Sequence, residues 1–170
     1  MSDITLNTKR FTSASGFDGA STNDLVRIAA QAIDYADEIT DGHSMKDVIR
    51  AIREDADCID ADDDQFTFEY DGMTFRVVTE DVMESMKADA LDSMVEEANY
   101  ELDRLKKDMC YLTNYITIDE DMFRRDAEYD IDNWVSPYDG VVHEMQWNEY
   151  DSGDGSIVTR RETLYMIRED

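Results

Sequence analysis

Residues 65–78 read QFTFEYDGMTFRVV. Phe66, Phe68 and Tyr70 alternate with polar residues, and so do Met73, Phe75 and Val77. A period of two sets each row on one face of a strand. Asp71-Gly72 joins the two runs, and such a pair accepts the positive φ angles of a two-residue hairpin turn. The stretch therefore predicts a β-hairpin, and with it an antiparallel sheet whose apolar face needs helices to cover it.

Both flanks supply helices. Downstream, Thr79 is placed to cap a long helix over residues 80–107. Glu80 and Asp81 suit its positive N-terminal end, and Lys106 and Lys107 its negative C-terminal end. Val82, Met83, Met86, Ala90, Met94, Ala98, Leu102 and Leu105 form its apolar stripe. Upstream, residues 57–64 (DCIDADDD) read as an acidic loop. Before it come two shorter helices. The first starts near Thr22 or Asn23, buries Leu25, Ile28, Ala29, Ala32, Ile33, Ala36 and Ile39, and stops at Gly42. Ser44 caps the second, whose stripe is Met45, Val48, Ile49, Ile52 and Ala56.

Residues 1–20, rich in Ser, Thr and Gly, are expected to form a flexible arm, and residues 21–170 a single domain. A short helix containing Met122 and Phe123 follows Asp119, and SPYDG at 136–140 reads as a turn. The tail predicts a second hairpin, VVHEMQWNEY and SIVTRRETLYMIRE around an SGDG turn. The whole is an α+β fold of N-terminal helices, a β-hairpin, a long acidic helix and a C-terminal antiparallel hairpin. Trp147 and Tyr165 read as core or sheet residues. Tyr100 and Tyr111 sit beside the acidic helix, where core and interface roles are equally open.

Charge narrows the function. The chain of 170 residues carries 42 acids against 16 bases, a formal net charge of −26. Residues 51–100 alone hold 16 acids and 3 bases. Such a chain repels phosphate, so direct nucleic-acid binding and an anionic membrane surface are excluded. No apolar run reaches the roughly 18 residues of a membrane span, and no signal-peptide core is present. Cys58 and Cys110 have no metal spacing and read as reduced thiols of a cytoplasmic protein.

Catalysis finds no support. His43 and His143 belong to no metal or acid–base pattern, and no nucleophile elbow or phosphate loop occurs. Among so many carboxylates, Asp126, Asp130 and Asp132 signify nothing by themselves. Asp60, Asp62 and Asp64 match the first ligands of a calcium loop, but Gln65 stands where glycine is needed and Asp71 where a bidentate Glu is needed. Asp151-Ser-Gly-Asp-Gly155 reads as a turn. No catalytic residue, metal site or cofactor is expected.

What remains is a surface. On the long helix Asp89, Asp92, Glu96 and Asp103 recur at spacings of three, four and seven, with Glu80–Glu84 and Glu97–Glu101 as further pairs. Neighbouring carboxylates on one helix face lie roughly 6 Å apart, close to the separation of phosphates along a DNA strand. The candidate partner-binding residues are therefore Glu80, Glu84, Asp89, Asp92, Glu96, Glu97 and Asp103, with the loop acids Asp60, Asp62, Asp63 and Asp64. Their partner would be a basic DNA-binding protein or nuclease complex. A homodimer, with the apolar stripes and C-terminal hairpin as its seam, would set two acidic surfaces in line.

In the last third, Phe123, Arg125, Asp126 and Ala127, then Ser136, Tyr138, Asp139 and Gly140, then Tyr165, Ile167 and Arg168 resemble a pattern of small uncharacterised phage proteins. In size and charge the whole chain resembles the acidic counter-defence proteins of phages and mobile elements, of the DNA-mimic antirestriction and anti-CRISPR type. That resemblance implies an inhibitor in the bacterial host cytoplasm that occupies the DNA-binding groove of a restriction enzyme or CRISPR effector. Two other readings fit the composition. One is an adaptor or regulator that binds a basic host protein without imitating DNA. The other is a halophile protein with a solvating acidic surface, which the 28 Asp against 14 Glu would suit.

Overall fold

In the computed structural model of the chain, which describes residues 17, 20–36, 38, 39, 43–108, 115–150 and 158–170, Asp71 and Gly72 both take positive φ, 53° and 75°. They join β2 (Gln65–Tyr70) to β3 (Met73–Thr79), which pair from Tyr70 and Met73 to Gln65 and Val78. The predicted hairpin is present in the expected register. β1 (Asp60–Ala61) is a short edge strand on the outer side of β2, formed from what reads as loop in the sequence. β4 (Val142–Tyr150) and β5 (Val158–Arg168) make the second hairpin, whose turn lies outside the described residues. Thr79 to Phe75 of β3 pair with Leu164 to Arg168 of β5. The two hairpins thus fuse into one antiparallel sheet of five strands, ordered β1-β2-β3-β5-β4.

Each sheet face has its own helical layer. Phe66, Phe68, Phe75, Val77, Met145, Trp147, Leu164 and Met166 share a buried cluster with α1 (Thr22–Tyr35) and α2 (Met45–Glu54). Val78 and Ile167, one step along their strands, point to the other face. There they meet Met83 of α3 (Glu80–Asp108) and Ile131 and Val135 of α5 (Ile131–Val135). The fold is α+β, with α4 (Glu120–Ala127) packed beside α3 in the second layer.

Local chemistry sets the helix ends. At α1 the Ser21 N–H donates to the Asp24 carboxylate at 3.0 Å, and the Asp24 N–H donates to the Ser21 hydroxyl at 3.3 Å. At α2 the Ser44 hydroxyl and N–H both donate to the Asp47 carboxylate, at 2.7 and 3.0 Å. These bonds hold the Asp47 carboxyl below its ordinary pKa. Asp119 accepts from the Met122 N–H at 3.1 Å and opens α4.

α1 stops at Tyr35, earlier than its apolar spacing predicts. The Glu38 N–H turns back to the Ile33 carbonyl at 3.1 Å, a closure common at helix ends. Ile39 still packs on the core, but from the connection that follows the helix. Gly42, most of the predicted arm, Cys110 and Tyr111 lie outside the described residues. Phe17, near the end of that arm in sequence, is buried with its ring edge-on to Phe66 at 4.9 Å.

Thr79 does not cap α3. It is the last residue of β3 and still pairs with Leu164, and its N–H donates to the Asp64 carbonyl at 3.1 Å. Its orientation follows the sheet, and its hydroxyl is buried without a hydrogen-bond partner among the described residues. A buried hydroxyl with no partner costs about 1–3 kcal/mol in lost hydration. Thr79→Val is therefore expected to stabilise the protein by about 1 kcal/mol, read as a higher urea midpoint at unchanged slope.

Candidate functional site: a carboxylate face on the long helix

α3 has 29 residues, so it is about 44 Å long at 1.5 Å per residue. It is buried shallowly, with only Met83 and Val95 fully covered among its described side chains. The predicted stripe holds at Val82, Met83, Met86, Ala90 and Met94, which pack on the second core. It fails at Leu105, which is 54 % exposed beyond the end of that core. Val95, absent from the expected stripe, is buried.

Successive helical residues turn by about 100°. On that basis Asp89, Asp92, Glu96 and Asp103 fall within an arc of about 60°, and Asp81 widens it to about 80°. All five are exposed. Glu97 is exposed on a different flank of the helix. Glu80 and Glu84 gather at the sheet side of the first turns, where with Glu144 they act on the Tyr165 hydroxyl. Asp62, Asp63 and Asp64 line a groove with Val82, beside the first turn of α3. Asp60 stands apart on the edge strand, opposite Thr67. The candidate acids thus form an extended row on α3, a cluster at its start, and outliers at Asp60 and Glu97.

Few cations answer this charge. Arg124 of α4 donates to Asp92 at 2.5 Å, and Lys106 lies 3.8 Å from Asp103. Lys87 reaches Asp132 at 3.8 Å, and Arg104 reaches Glu101 at 2.7 Å. Glu80, Glu84, Asp89, Glu96 and Glu97 have no ion pair among the described residues. Exposed pairs are worth roughly 0–1 kcal/mol, so even Asp92 and Asp103 remain open to a stronger cation. Sequence spacing gave no warning of the Arg124–Asp92 pair, which joins residues 32 positions apart. Among the described residues, no group of three or more His, Cys, Asp or Glu is placed to hold a metal ion. No helix among them is long and apolar enough to cross a membrane.

Tyr165 of β5 lies near enough to the first turns of α3 to sense their charge. Burial, then the charges of Glu144, Glu80 and Glu84, raise the Tyr165 pKa above its ordinary 10.0. The folded state therefore holds the phenolic proton more tightly than the unfolded state. This contribution is intact below pH 10.0 and is lost as pH rises above it. Thermal melts should show stability falling in that range, and Tyr165→Phe should remove part of the fall.

Asp81, Asp89, Asp92, Glu96 and Asp103 thus present a row of exposed carboxylates along one side of α3. No family model, curated protein or solved structure matches the chain.

Proposed function

We propose that this protein is an acidic inhibitor that imitates DNA and occupies the DNA-binding groove of a host defence nuclease, a restriction enzyme or a CRISPR effector. The observation that carries the reading is the row of exposed carboxylates on α3, of which Asp81, Asp89 and Glu96 have no ion pair among the described residues. From Asp81 to Asp103 the row rises about 33 Å along the helix axis. One turn of B-DNA is about 34 Å. A groove lined with Lys and Arg to track one turn of phosphates would meet a row of anions of matching length. Binding would release counterions from both surfaces, so affinity would fall steeply with salt.

The test is a pull-down with tagged protein from nuclease-treated bacterial lysate, eluted in salt steps and then with duplex DNA. Recovery of a DNA-binding protein that duplex DNA displaces supports mimicry and identifies the target. A basic partner that DNA does not displace would replace this reading with that of an adaptor. Loss of the folded circular dichroism spectrum at low salt, with no partner recovered, would favour a halophile's solvating surface.

A further inference from the structure

A second surface lies beside the carboxylate row, and its chemistry is aromatic as well as acidic. α4, the turn over Glu128–Asp130 and α5 form a nearly continuous helical run. Ile131 and Val135 point inward and are buried. Asp126, Tyr129, Asp130, Asn133 and Trp134 recur at spacings of three and one along the rest of the run, which groups them on one outer side. Tyr129 is 93 % exposed, Trp134 39 % and Tyr138 56 %. Gly140, at φ +70°, stands so close to Asn133 that an added Cβ would overlap its Oδ1. The turn bearing Tyr138 therefore adjoins this side. Asp126, Glu128, Asp130 and Asp139 are exposed around the rings. Tyr and Trp rings standing among carboxylates in water are the composition of a recognition surface.

The molecule already holds one arginine in this manner. The Arg168 guanidinium lies 4.2 Å from the centre of the Tyr138 ring, and its Nη2 donates to the Tyr138 hydroxyl at 3.3 Å. A guanidinium can stack on a ring while its N–H groups pair with a carboxylate at the edge. A lysine ammonium is more strongly hydrated and has no plane to stack. Arg124, on the opposite side of α4, donates to Asp92 and so sets the run beside the row on α3.

We propose that the outer side of the α4–α5 run, with Tyr129 and Trp134 as its rings and Asp126 and Asp130 as its anions, receives arginine side chains of the basic partner. The proposal rests on the reading that the partner is basic. It adds that arginine is selected over lysine. The row on α3 supplies long-range attraction, and the α4–α5 side supplies preference at contact.

The test uses the full chain and two probes, nona-arginine and nona-lysine peptides, titrated calorimetrically at one moderate salt concentration. Arginine peptide is expected to bind about tenfold more tightly, from about threefold for each stacked ring. Tyr129→Ala with Trp134→Ala should erase the preference and leave lysine affinity unchanged within about twofold. Tyr129→Ala alone guards against misfolding, because that ring is almost wholly in solvent. It should lower arginine affinity about threefold. Equal affinity for the two peptides, or a preference untouched by Tyr129→Ala, overturns the arginine surface and leaves the DNA-mimic reading standing. Failure of both peptides to bind even at low salt would sink the basic-partner reading and this proposal together. A partner that ignores duplex DNA in the pull-down would remove mimicry alone.

Discussion

Lysine in place of Asp89, Asp92 and Glu96 should weaken binding to the partner by about 100-fold to 1,000-fold while leaving the fold intact. Each reversal removes an attraction and adds a repulsion, together about 1–1.5 kcal/mol for a close charge pair at a partly desolvated contact. The three acids are exposed on one arc of α3, and none fills the core. Asp92→Lys breaks an exposed pair with Arg124, which costs less than about 1 kcal/mol. The slope of log affinity against log salt should also shallow, because fewer counterions are released. The control is reversal of Glu54, Asp55 and Asp57, three exposed acids at the end of α2 in the other layer. It changes net charge equally. If the control weakens binding as much as the α3 variant, the partner senses total charge and α3 is not the contact face.

Phe68→Ala should remove about 3–5 kcal/mol of stability. Phe68 is fully buried in the first core, stacked on Phe75 at 5.5 Å between ring centres and 6.0 Å from Phe66. Phe66 and Phe75 belong to the same sheet and cannot move in to fill the space without breaking strand register, and the α1 and α2 side chains above it are already close-packed. A domain of this size has roughly 5–15 kcal/mol in hand. Self-repulsion at a net charge of −26 lowers that margin further. Urea denaturation should show the midpoint falling steeply, and added salt should recover part of the loss by screening. A cost under about 1 kcal/mol would place Phe68 outside the core.

The parts of the fold legible in the sequence are local. Asp71-Gly72 dictates its own turn, and the alternation around it dictates which side chains share a face. α3 announces itself by apolar spacing and by unlike charges at its two ends. What could not be read is non-local. Nothing near Phe75 specifies Arg168 as its neighbour, so the fusion of the hairpins was hidden. Thr79 has the residue type of a cap, but the ladder to Leu164 fixes its side chain first. Leu105 has the right helical phase for burial, yet among the described residues no element of the second layer covers it. The acids were visible as residues, whereas their division into a row, a cluster and outliers depended on helix phase and on where the sheet lies. Arg124 became relevant only when α4 docked.

The pairing of β3 with β5 bears on how the chain is made. Arg76 donates to Glu169 at 3.0 Å across 93 positions. While a ribosome is still producing the intervening residues, β3 has one open edge, and Val78 and Met83 lack Ile167 beneath them. Such long-range closure is slow, and an open strand edge invites pairing with another nascent chain. Two copies in that state would each carry most of the acidic middle of the sequence. Their mutual repulsion would hold them apart during the wait. The same charge that would draw a basic partner to the finished protein thus protects the unfinished one from its own copies.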